Sequence, residues 1–256
     1  MKQLLVFAVI ALLFCGGCLP AGRNQITQTS TIDALLAGVY DGKMTCGELL
    51  KYGDFGIGTF ARLDGEMIVY HGKVYQIKSD GKVYLPNTAA KTPFATVCSF
   101  KLDTEFPIKS ADYKTVQSII DEKNPNQNLF TAVEIVGKFK YMKVRSVPAQ
   151  NKPYPPLAQA AEKQSVFEMN DVSGVIVGFR SPQFARGVNV PGCHFHFLSD
   201  DRTQGGHILD FEITEGLCKV DSCNKFLLIL PQDDSLKDID LSGDKSAELH
   251  KVEQNN

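Results

Sequence analysis

Along most of the chain, apolar and polar residues alternate in short stretches broken by glycine and proline; only a few stretches carry a helical spacing. Residues 31–39 place Ile32, Leu35 and Leu36 on one side behind Thr31 as an N-cap, and residues 46–52 predict a second short helical turn. Strands are predicted over residues 53–60, 66–70, 73–78, 82–85 and 94–100, and Asp80-Gly81 between two of them is a hairpin signal. Residues 110–123 read as a helix capped by Ser110, with Tyr113, Val116, Ile119 and Ile120 at helical spacing. A long alternating stretch, 130–147, then runs into a segment with prolines at 148, 153, 155 and 156, read as an interdomain connection. Beyond it come a short helix at 157–163, strands at 166–169, 174–179, 192–198, 207–213 and 226–230, and a helical tail over 246–253. The predicted fold class is α+β: two lobes, each a mixed or largely antiparallel β-sheet with a few helices. The N-terminal lobe is placed at 31–165 and a C-terminal lobe with its tail at 166–256, after a flexible lead-in at 19–30.

The first residues break this pattern. Lys2 precedes a compact apolar run from Leu4 to Phe14, too short to span a bilayer. Residues 1–18 therefore read as a secretory signal peptide. The small residues before Cys18 resemble a lipoprotein cleavage box, with Cys15 where an aliphatic residue is usual. Cys18 is then a candidate lipid anchor, cleavage with free secretion is the alternative, and the expected location is periplasmic, cell-surface or secreted. Five of the seven cysteines lie beyond this leader, and Cys218 and Cys223 are close enough in sequence for a local disulfide. None has paired Cys-x-x-Cys spacing for a structural metal. Hydrophobic residues at 43%, charged residues at 22% and a net charge of -2 describe an ordinary globular chain without a basic stripe. Nucleic acid is excluded as an expected partner. The glycines of residues 53–60 lack the order and following helix of a dinucleotide site.

Three of the five histidines fall in one hairpin-like stretch. His194 and His196 are two apart in a predicted strand and so share a face. Residues 199–206 end in Gly205-Gly206 and read as the hairpin loop. With Leu198 opposite His207, the return strand brings His207 onto the same face, giving a three-histidine metal site with an open position. Neutral imidazoles suit Zn²⁺, although ligand type alone leaves Fe, Mn, Cu and Ni open. Cys193 should face the other way, into the core. Asp210 and Glu212 should face away from His207. On the residues alone, a cupin-like metal oxygenase or isomerase and a non-enzymatic exported metal-binding protein both stay open. The cupin pattern is missing its glutamate after His196, and the binding protein its long histidine tract.

Several motifs extend the reading. They are Gly-Asp-Phe-Gly-Ile-Gly-Thr-Phe at 53–60, Leu-Asp-Gly-Glu-Met at 63–67, Lys-Thr-Pro-Phe at 91–94 and Gly-Phe-Arg-Ser-Pro at 178–182. Residues 191–200 and Gly205-Gly206-His207 complete the set. In this order the chain resembles the α-acetolactate decarboxylases over most of its length. The resemblance implies a carbon–carbon lyase that converts 2-acetolactate to acetoin and CO₂, with zinc stabilising an enediolate intermediate. It implies zinc held by His194, His196 and His207, with Glu66, Arg145 and the C-terminal Glu253 as active-site residues and Thr59 supporting them. Glu253 lies three residues from the end of the chain, so the tail must pack back over the site for it to act. A homodimer is the expected assembly.

Overall fold

The structure, a computed structural model, describes residues 22–253. The leader read at residues 1–18, with Cys15 and Cys18, lies outside the described residues. In chain order the strands are β1 (Gln25–Thr29), β2 (Met44–Thr45), β3 (Phe55–Thr59), β4 (Glu66–Tyr70), β5 (Lys73–Ile77), β6 (Val83–Tyr84), β7 (Lys91–Thr92) and β8 (Phe94–Cys98). They continue as β9 (Thr104–Asp112), β10 (Phe130–Ser146), β11 (Ser165–Ser181), β12 (Gly192–Ser199), β13 (Gly205–Cys223) and β14 (Lys225–Ile229). The helices are α1 (Ile32–Leu36), α2 (Cys46–Leu49), α3 (Tyr113–Lys123), α4 (Leu157–Ala161) and α5 (Ser246–Glu253).

The α+β class and the mostly antiparallel sheets are as the pattern predicts. One sheet runs β14-β1-β8-β3-β4-β5-β6, and only the β1–β14 pair is parallel. A second runs β10-β11-β12-β13-β9, and β10 also pairs with β13, which closes β10 to β13 into a ring; β2 and β7 pair alone as a small two-stranded sheet. The two sheets pack through a shared core: Phe55, Ile57, Ile68 and Tyr75 from the first meet Val175, Val177, Phe179 and Leu198 from the second. The opposite face of β12 places Phe195 and Phe197 in a separate core with Val116 and Ile120 of α3. Alternation along β12 thus sends its odd-numbered residues to α3 and its even-numbered ones between the sheets. Cys193 packs against the α3 core, as its parity predicts.

The two sheets do not divide the chain at residue 165. Both β9 and β10 belong to the second sheet, and β14 returns to the first. The reason is pairing: β10 is bonded along both edges, to β11 and to β13, and cannot be separated from them. The lead-in also ends earlier than expected. Gln25–Thr29 is a strand between β8 and β14, and its polar composition hides this. Its buried Gln28 amide donates to the carbonyls of Ser30 and Val188 at 2.7 and 2.6 Å, so burying it leaves no orphaned donor. The cap of α3 is Asp112, which accepts from Thr115 N at 2.7 Å, whereas Ser110 lies within β9. Thr31 does cap α1, accepting from Ala34 N. Cys218 and Cys223 share the single strand β13, five positions apart. Odd spacing sends them to opposite faces, one into each core, so the local disulfide is ruled out.

Candidate active site

The histidine hairpin forms, with a register two residues from the expected one. His207 stands opposite His196, and Gly205 opposite Leu198. A shift of two preserves parity, so all three imidazoles still face the space between the sheets. Their ligand nitrogens lie within 4.8 Å of one another. His194 owes its position to a close approach of backbones. A Cβ at Gly178 on β11 would fall 2.1 Å from the His194 carbonyl oxygen, so only glycine lets β12 lie where it does.

The orientation of His196 is set by Met67. The His196 Nδ1–H donates to the Met67 carbonyl at 2.9 Å; a carbonyl can only accept, so Nε2 carries the lone pair. Burial pulls the pKa of His194 down to about 3, with the nearby Arg145 charge acting the same way, and burial also lowers His196 and His207. The rings are therefore neutral at pH 7. The Nε2 atoms of His196 and His207 are buried with no hydrogen-bond partner. Neutral, converging imidazoles are a donor set that fits a divalent metal; His194 Nε2 and His207 Nδ1 meet at 3.2 Å, while the Nε2 atoms of His196 and His207 stay open.

The first sheet supplies the opposite wall. Gly65, at φ +88°, turns the chain into β4 so that Glu66 points at the triad; its Oε2 lies 3.7 Å from His196 Nε2. Thr59, opposite Glu66 in the β3–β4 ladder, donates its hydroxyl to the Gly65 carbonyl at 2.8 Å. It fixes the turn that aims Glu66. Arg145 stands on β10 directly across from His207. Its guanidinium lies 3.2 Å from Glu66 Oε1 and 3.7 Å from Glu253 Oε1, and its Nε has no partner. Glu253 arrives from the tail. Leu249 and Val252 of α5 are buried against Leu35, Leu63 and Leu157, which seats the carboxylate 3.4 Å from His194 Nε2. Arg145 Nη2 also reaches the Val252 carbonyl at 3.4 Å.

All seven predicted residues, Thr59, Glu66, Arg145, His194, His196, His207 and Glu253, thus line one cavity. Burial raises the Glu66 carboxyl to about 7; Arg145 opposes that rise and Glu253 adds to it. Burial likewise raises Glu253 against the pull of Arg145. Asp210 and Glu212 take no part: Asp210 is exposed and Glu212 pairs with Lys140 at 3.1 Å. Two features escaped the sequence reading. One is the apolar half of the cavity, Ile32, Leu35, Leu63, Phe94, Val147 and Leu157, gathered from distant elements. The other is the Met67 carbonyl, a backbone group that no sequence pattern marks.

The comparisons with known proteins agree with this geometry. The alpha-acetolactate decarboxylase family model matches residues 26–243, a span holding every residue of the cavity's polar half except Glu253. The alpha-acetolactate decarboxylase of Methanosarcina mazei is 47% identical over 90% of this chain and 81% of its own. That of Methylococcus capsulatus is 43% identical over 90% of this chain and 89% of its own. The crystal structure of the Bacillus subtilis strain 168 enzyme superposes with a TM-score of 0.88 at 36% identity, covering 90% of this chain and all of that one. In its motifs, its paired sheets and its three-histidine cavity, the chain belongs to the alpha-acetolactate decarboxylase family.

Proposed function

We propose that the protein is a zinc-dependent carboxy-lyase that converts 2-acetolactate to acetoin and CO₂. The observation that carries this reading is one cavity in which three neutral imidazoles, a buried guanidinium and a carboxyl raised to about 7 converge. His194, His196 and His207 would hold the zinc. When bound, the metal supplies a Lewis-acid charge that stabilises the enediolate left by loss of CO₂.

The chain's own residues do the rest. Arg145 orients the substrate carboxylate, for which its unpartnered Nε is a free donor. Decarboxylation of the anion consumes one proton. A guanidinium is too weak an acid to give it, whereas Glu66 at about 7 is protonated in part at neutral pH and stands beside the triad. Glu253 shares Arg145 with Glu66 and opposes its ionisation, which keeps that proton in place. Thr59 holds the Glu66 turn, and the apolar half of the cavity accommodates the substrate's methyl groups and excludes water. The apolar leader at residues 1–18 supports export, with Cys18 as lipid anchor or cleavage followed by free secretion.

Purified protein incubated with racemic acetolactate should release acetoin, lose that activity to a chelator and regain it with zinc. Absence of metal-dependent acetoin would refute the proposal. Oxygen consumption with another substrate would point to an oxygenase, and tight zinc binding without turnover to a binding protein.

A further inference from the structure

Five cysteines lie among the described residues, all buried or nearly so, and none belongs to the cavity. Two of them mark the places where the chain passes between the sheets. Cys98 is the last residue of β8, after which residues 99–103 cross to the second sheet. Cys223 is the last residue of β13, after which Asn224 alone leads back into β14. The two crossings run side by side. Lys101 N donates to the Asp221 carboxylate at 2.8 Å, Asp103 N to the Val220 carbonyl at 2.9 Å, and Ser222 N to the Asp103 carboxylate at 2.7 Å. Both cysteines are about 1% exposed in the inter-sheet core. Both are free thiols of this one core, and Cys223 is the neighbour that, with burial, raises the Cys98 thiol well above its ordinary value.

We infer that Cys98 and Cys223 join as a disulfide that staples the two sheets at their paired crossings. Two S–H bonds break and one S–S bond forms. The two electrons and two protons pass to a dithiol–disulfide oxidant, which is released in its reduced form. An exported chain meets oxidants of this class while it folds, before burial closes the pair off from exchange. The bridge closes a loop of roughly 125 residues, the long-loop regime in which a cross-link restricts the unfolded chain most. Of the other three cysteines, Cys193 and Cys218 pack in the α3 core and Cys46 packs beside Leu49 and Met67.

The test is to refold the full chain in an oxidising glutathione buffer, block free thiols with iodoacetamide under denaturing conditions, and map unreduced peptides by mass spectrometry. The expected result is a Cys98–Cys223 linked peptide pair, with Cys46, Cys193 and Cys218 alkylated. Reduction should then lower Tm by several degrees in the parent chain and leave a C98S/C223S variant unmoved. Recovery of both thiols alkylated from the oxidised, folded protein, or a bridge from either to another cysteine, overturns the inference. The peptide map of the parent chain decides the matter even if the double variant does not fold.

Discussion

Arg145→Lys is the most searching substitution, because it keeps the charge and removes only the fork. The Arg145 side chain is about 5% exposed and spans Glu66 Oε1 at 3.2 Å, Glu253 Oε1 at 3.7 Å and the Val252 carbonyl at 3.4 Å. Only the first is short enough to count as a good hydrogen bond. A lysine ammonium is a single point that can face Glu66 or the tail but not both. The cost to folding should therefore be modest, about 1–2 kcal/mol, set by one weakened charge-assisted contact and a looser seat for α5. The cost to catalysis should be larger. Loss of a bidentate hold on the substrate carboxylate removes about 1.5–3 kcal/mol, or roughly ten- to 200-fold in kcat/KM. The assay is initial acetoin release across a range of acetolactate, with zinc content and Tm measured on the same preparation. A variant with full zinc and kcat/KM within about threefold of the parent would refute the clamp role of Arg145. Arg145→Met goes further: it strands two buried carboxylates without a counter-charge, at about 3–5 kcal/mol of stability.

Two further predictions concern the scaffold. Gly178→Ala should cost about 3 kcal/mol or more and deplete the metal, because the new Cβ sits 2.1 Å from the His194 carbonyl oxygen. Denaturant titration with zinc analysis checks it, and an unchanged Cm with full zinc would show that β12 can give way. Asp221→Asn should stabilise the protein above pH 6. Burial raises Asp221 from its ordinary 3.8 to about 6, with the Lys101 N–H opposing, so the unfolded chain sheds its proton first as pH rises. The destabilisation is absent below about pH 4, grows to pH 6 and then holds at on the order of 3 kcal/mol. Unfolding free energies of parent and variant at pH 4 and pH 7.5 should therefore converge at the first and differ at the second; equal values at both would remove the buried-carboxylate argument.

Some of this protein is legible in its sequence because it depends on neighbours along the chain. Parity within a strand is such a property: His194 and His196 two apart must share a face, and Cys193 must take the other, whatever the strand pairs with. The β-rich character, the Thr31 cap and the glycine pair before His207 are equally local. The motifs of the Glu66 and histidine stretches carry the family resemblance for the same reason. Other features are decided only when distant segments pack. The hairpin register, His207 against His196, is chosen by the ring of β10 to β13 and not by the loop alone. The strand Gln25–Thr29 is polar in sequence and is made a strand by its two neighbours. β9 is an edge strand with three buried residues in nine, too few for a clear pattern. Glu253 reaches the histidines because Leu249 and Val252 find a core built from α1, α4 and the loop holding Leu63. Sequence spacing determined which imidazoles could point the same way. Packing of the two sheets and the tail helix decided that Glu66, Arg145 and Glu253 meet them there, since such convergence is a sum of non-local contacts that no local pattern encodes.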